Sequence, residues 1–274
     1  MLPSTIIVPL DGSTLAESAV APGRDLASTF DADLLLVRAS WHRPPDDEEQ
    51  YLDRVAAGAG YHRTSTQAVH GFAGPAVIAV TEELPRSMLC LATRGHTGLV
   101  GELLLGSVAS ELVDATSAPV VLVGPSITGS RLDAPARGCI MFCFDGSYAA
   151  RSLEPTVIAW AACLGLPIKV VTVLHRDGEF LGGISSAAVR TAADELAARL
   201  DERGVSGEHI VINCIDPSRA ILRAAREHDA ALIAAGTTSA RHSQGVARFS
   251  RAVLGSTAER LVRHATAPVL VARP

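Results

Sequence analysis

Two halves of this chain repeat one another, and that repetition limits the fold more than any other feature. An apolar run, Ile6-Ile7-Val8-Pro9-Leu10, ends in Asp11-Gly12-Ser13, and Ile140-Met141-Phe142-Cys143-Phe144 ends in Asp145-Gly146-Ser147. The halves also close alike: Leu104-Leu105-Gly106-Ser107 matches Val253-Leu254-Gly255-Ser256, and Ser117-Ala118-Pro119-Val120 matches Thr266-Ala267-Pro268-Val269. The second Asp follows the first by 134 positions, whereas the closing motifs recur after 149. That period suits one globular domain and is too long for a solenoid repeat. The sequence therefore predicts a first domain at 1–124, a Pro/Gly/Ser-bearing linker at 125–137 and a longer second domain at 138–274.

Apolar stretches alternate with amphipathic ones, the signature of β-α units on a parallel sheet. Strands are predicted near 5–10, 33–39, 66–70, 87–92 and 119–123, and again near 139–144, 168–174, 209–213, 230–235 and 268–272. Leu15, Ala19, Leu26 and Ala27 have the spacing of one helix capped by Ser13 or Thr14, Gly74-Pro75 opens another, and a long helix is expected from Ser185 to about Arg203. The run Asp46-Asp47-Glu48-Glu49 reads as a solvated helix start. The closing strands, Val120–Val123 and Val269–Val271, are candidates to pair across domains or subunits, giving a pseudo-dimer or a homodimer.

Composition removes several function classes. With 274 residues, 48% apolar content and a net charge of −5, the chain can bury two cores but lacks the basic footprint of a nucleic-acid binder. It opens without a signal-like segment and has no apolar run near eighteen residues, so a cytoplasmic protein without membrane association is expected. Its only lysine is Lys169, inside a strand-like run, which leaves no candidate for a P-loop or Schiff-base lysine. The five cysteines form no Cys-x-x-Cys and read as reduced core residues, and the nine histidines form no zinc-binding pattern.

Both Asp-Gly-Ser motifs fall at the carboxyl end of the first strand of a domain, and both Gly-Ser pairs at the start of its last helix. Ligands of open parallel sheets bind beyond the carboxyl ends of the strands, so the two motifs are candidate walls of one pocket. An Asp accepts hydrogen bonds from a base or sugar, while a helix N-terminus with glycine favours phosphate. Each motif also has a plain structural account, a turn or a helix entry.

Taken in order, Val8-Pro9-Leu10-Asp11-Gly12-Ser13, Thr93-Arg94-Gly95-His96-Thr97-Gly98, Leu104-Leu105-Gly106-Ser107-Val108-Ala109 and Ala118-Pro119-Val120-Val121-Leu122-Val123 resemble the universal stress protein family, and the chain resembles its tandem two-domain form. The resemblance implies two Rossmann-like α/β domains, each a five-stranded parallel sheet sandwiched by helices, and a stress-response or regulatory role. It also implies ATP binding through a Gly-x2-Gly-x9-Gly-Ser/Thr loop, with Mg²⁺ as an optional companion and an unspecified protein partner. Carried over, the nucleotide-binding positions are Asp11, Gly12, Ala39, Gly95, Gly98, Gly106, Ser107 and Val108 in the first domain. In the second they are Asp145, Gly146, Val173, Gly236, Gly245, Gly255, Ser256 and Thr257. The first domain departs from the pattern at Ala92, where the first loop glycine is expected, and the second carries an enlarged loop over 237–244. No catalytic constellation is read beside these loops, so a binding protein is expected rather than an enzyme. A slow ATPase and a non-nucleotide interaction module are the alternatives.

Overall fold

The computed structural model describes residues 2–41, 45–93, 105–127, 132, 137–174, 186–237 and 254–272. The first half runs β1 (Thr5–Pro9), α1 (Thr14–Glu17), α2 (Val20–Phe30), β2 (Asp33–Ser40), α3 (Pro45–Ala59), β3 (Thr64–His70), α4 (Ala73–Glu83), β4 (Ser87–Ala92), α5 (Ser107–Ala115) and β5 (Val120–Val123). The second repeats it as β6 (Cys139–Cys143), α6 (Tyr148–Leu164), β7 (Ile168–Leu174), α7 (Ser186–Glu202), β8 (Gly207–Asn213), α8 (Pro217–Glu227), β9 (Ala230–Gly236), α9 (Gly255–His264) and β10 (Val269–Ala272). Among these residues no helix is long and apolar enough to cross a membrane.

All ten strands join one sheet in the order β3-β2-β1-β4-β5-β10-β9-β6-β7-β8. Pairing is parallel within each half, and the halves meet where β5 and β10 run antiparallel, Leu270 opposite Val121. The two closing strands therefore do pair across domains and leave neither half with an open edge at its centre. Strand side chains alternate between two apolar layers. Ile6 and Val8 join the layer under α2 and α6, while Ile7 joins the layer under α5 and α9. Burial on both faces explains why the central strands read as unbroken apolar runs.

The helices of the first layer also cross the domain boundary. Phe30 of α2 packs on Trp160 of α6 with ring centroids 4.9 Å apart. Beside them the Thr29 hydroxyl donates to the Leu132 carbonyl at 2.9 Å and the Cys163 thiol to the Thr29 carbonyl at 3.4 Å.

Two sequence expectations need correction. The helix expected after β1 is broken into α1 and α2 at Ser18-Ala19, and Leu15, read as part of its apolar face, is 45% exposed. Pro22 has no N–H to bond back to Ser18, so the chain closes α1 with Ser18 N–H to Leu15 and Ala19 N–H to Ala16, then restarts. Ser13 does cap α1, accepting from the Ala16 N–H at 3.1 Å. The acidic run does start α3, but Glu48 is not solvated. Its side chain is 3% exposed and paired with Arg38 of β2, itself 5% exposed.

Candidate functional site

In each half the sheet order reverses between the first and fourth strands, where successive crossovers leave in opposite directions and open a crevice at their carboxyl ends. A pocket lies there in both domains. The second-domain pocket, about 380 Å³, is lined by Asp145, Val173, Gly236, Gly255, Ser256 and Thr257, with apolar walls from Val171, Ile221 and Leu261. In the first domain Asp11, Ala39, Gly106, Ser107 and Val108 line a pocket of about 100 Å³. Gly12 and Gly146 are not on these walls. They carry the positive φ angles, 87° and 72°, that turn the chain after each Asp. Gly95, Gly98 and Gly245, like the Thr237–Gln244 loop apart from Thr237 itself, lie outside the described residues.

Local hydrogen bonds fix each acidic side chain. Asp145 Oδ1 accepts from the Ser147 N–H at 2.9 Å, and Asp11 Oδ1 accepts from both the N–H and the hydroxyl of Ser13, at 2.9 and 2.6 Å. Each carboxylate thus heads a turn that caps the following helix while remaining on a pocket wall. Opposite, neither α5 nor α9 has a side-chain cap on its first turn among the described residues, so its leading N–H groups suit an anion. One of them is already engaged: the Gly106 N–H donates to the Thr93 carbonyl at 2.7 Å.

One wall position differs visibly between the two pockets. Ala92 places its methyl on the wall of the smaller pocket, where the second domain has Gly236. Gly236 is glycine for packing too, since a Cβ there would lie 2.7 Å from the Ala150 nitrogen and 2.8 Å from the Ala149 carbonyl carbon. Backbone contacts that close cannot be relieved by rotating a side chain. Gly236→Ala is therefore expected to cost about 1–3 kcal/mol by displacing the start of α6, read as a lower denaturant midpoint.

The walls hold residues that the sequence motifs do not reveal. Cys143 and Cys214 both line the larger pocket. Burial pushes the Cys143 thiol up to about 12, so at neutral pH it is an uncharged wall rather than a nucleophile. Beneath Asp11, the Arg38 guanidinium stacks 4.3 Å over the Tyr51 ring and would lie 3.1 Å from a Cβ on Gly12. The Tyr51 hydroxyl donates to Glu17 at 3.0 Å, and burial, reinforced by that carboxylate, raises its pKa well above the ordinary phenol value. Arg38 was not singled out in the sequence, although its place two residues after Leu36 puts it on the strand face that carries Leu34 and Leu36.

A sequence model of the Universal stress protein family matches residues 4–124 and again residues 138–273. The chain belongs to the universal stress protein family. Among curated proteins no match was found. A universal stress protein from Archaeoglobus fulgidus DSM 4304 is 17% identical, with a TM-score of 0.69 over 100% of this chain and 99% of that one. One from Pseudomonas aeruginosa UCBPP-PA14, described as putative, is 19% identical, with a TM-score of 0.63 over 99% and 94%. At such identities these likenesses establish the tandem fold alone.

Within this universal stress protein the two domains differ in how α4 and α8 begin, at the mouth of the crevice. In the second, Asp216 caps α8 by accepting from the Arg219 N–H at 3.2 Å, and Arg260 of α9 reaches the same carboxylate at 3.3 Å. Its hydrogen bond from the Ser218 hydroxyl, then the Arg219 N–H and Arg260, hold the Asp216 carboxyl below the usual range. The first domain has Phe72 at the capping position and, among the described residues, no side-chain cap. Glu111, 149 positions before Arg260, occupies the space a Cβ on Gly74 would need. The acidic charge that complements this helix start thus comes from α5 in one domain and from the cap itself in the other.

Proposed function

We propose that this protein binds an adenine nucleotide, ATP first among them, in the crevice of each domain, and acts by nucleotide-dependent change of conformation or partner rather than by efficient turnover. The observation that carries the proposal is the larger pocket, where an apolar slot lies between a carboxylate and an uncapped helix start. Val173, Ile221 and Leu261 would take the flat base, Asp145 would accept from a ring amine or ribose hydroxyl, and the first N–H groups of α9 at Ser256 and Thr257 would meet phosphate. A volume near 380 Å³ is at the lower end for small-molecule sites. The first-domain pocket carries the same residue types in a quarter of that space, so the second domain is the stronger binder in this reading. Among the described residues no three acidic, His or Cys side chains gather as a metal site, so Mg²⁺ would enter with the phosphates.

Protein purified without added nucleotide, denatured and resolved by ion exchange, is expected to release one adenine nucleotide per chain, and a second where the first pocket is also filled. Release of none, together with no calorimetric response to ATP and Mg²⁺, would leave a protein-interaction module. Phosphate production abolished by Asp145→Ala or Ser256→Ala would instead favour the slow ATPase.

A further inference from the structure

Aromatic residues are scarce in this chain, 4% of the whole, yet two of the largest stand together in solvent at the mouth of the first-domain crevice. Trp41, just past β2, is 51% exposed, and Phe72, at the capping position of α4, is 71% exposed. Their rings stack at 5.2 Å with planes 11° apart, and Trp41 also stacks on His70, at the end of β3, at 4.8 Å and 22°. Burial does not explain the cluster, because both rings stay largely exposed among the described residues. Nor does helix stability explain Phe72, since the equivalent position of the second domain uses Asp216 as a true cap. The cluster adjoins the smaller pocket directly: Ala39, two residues before Trp41, and Ala73, next to Phe72, both line it.

We propose that Trp41, Phe72 and His70 form a stacking platform for the purine ring of a nucleotide held at the first domain, outside the small pocket and beside it. The proposal rests on the nucleotide reading above and gives that domain a different way of meeting it. A pocket of about 100 Å³ cannot enclose a base and ribose, so most of a nucleotide must lie beyond its walls. Neighbouring strands are about 4.8 Å apart, so the path from β3 across β2 and β1 to β4 is about 14 Å. An extended nucleoside triphosphate can follow it from the platform to the N–H groups at Ser107 and Val108. Every purine offers a flat π-face, and base-on-aromatic stacking is strong enough to hold one without a closed slot.

Trp41 reports on its own occupancy, because the other tryptophan, Trp160, is fully buried. Titrating the nucleotide-stripped full chain with adenosine is expected to quench tryptophan emission saturably, while tripolyphosphate leaves it unchanged. The quench disappears in Trp41→Phe. Phe72→Ser, which supplies a competent helix cap and so tests stacking without unfolding the domain, weakens adenosine binding roughly fivefold or more. ATP binding is measured by calorimetry on the same samples. ATP bound with Trp41 emission unmoved overturns the platform and leaves the pocket reading standing, and no ATP bound with emission unmoved overturns both. An emission blue shift that grows with protein concentration and needs no ligand assigns the face to a second copy of the chain and overturns the platform.

Discussion

Replacing Glu48 with alanine is expected to cost the first domain about 3–5 kcal/mol, because it strands a buried guanidinium. Arg38 and Glu48 have side chains only 5% and 3% exposed, so water cannot stand in for the missing carboxylate. The freed Arg38 must stay uncompensated or swing outward, leaving the Tyr51 ring and the space beside Gly12. Either route reaches the turn that presents Asp11, so a fall in stability should come with poorer ligand binding at the first domain. Replacing the whole pair with apolar residues, Arg38→Met with Glu48→Leu, should recover most of the loss, since a buried ion pair is costly to break and cheap to substitute. Denaturant unfolding followed by circular dichroism measures both variants. A loss below about 1 kcal/mol for Glu48→Ala would mean that the pair is open to solvent.

Trp160→Ala is expected to cost about 3–5 kcal/mol, the usual penalty for emptying a large aromatic site. The indole is fully buried and packs on Phe30 of the other domain, so the cavity would open in the seam between the halves. Trp160→Phe should be much milder, because the indole N–H has no hydrogen-bond partner among the described residues and removing it offsets part of the lost contact. Differential scanning calorimetry separates the outcomes. A single transition that splits in two for Trp160→Ala would show that this contact couples the domains, and an unchanged profile would contradict its role.

The strand positions were legible because doubly buried strands and their turns leave strong signals. Ile6 to Val8 and Ile140 to Phe142 are apolar at every position, and each meets an Asp-Gly turn whose glycine has positive φ. The convergence of the two motifs was legible for the same reason: Asp11 with Ser107, and Asp145 with Ser256, line one pocket each, whereas Gly12 and Gly146 only turn the chain beside them. What escaped depends on three-dimensional neighbours. Glu48 looked like its three acidic companions, and only the inward reach of Arg38 distinguishes it. The break at Ser18-Ala19 hides inside a regular apolar spacing, with Pro22 as the available clue. Trp41 and Phe72 are 31 positions apart, and only the parallel pairing of β2 with β3 brings them together. The exchange of Glu111 for Arg260 can be aligned through the 149-position repeat, but what each charge faces, the start of α4 or Asp216, shows only in three dimensions.

The central claim is that Asp145 and the start of α9 hold a nucleotide between them, and calorimetric titration of the full chain with ATP tests it most directly. The wild-type chain should bind saturably. Asp145→Ala should weaken the second-domain site roughly tenfold or more, the worth of a hydrogen bond to a charged group, while lowering stability in the absence of ATP by only about 1 kcal/mol for the lost bond from the Ser147 N–H. Equal affinity in the two proteins, or no binding by the wild-type chain, would contradict the account.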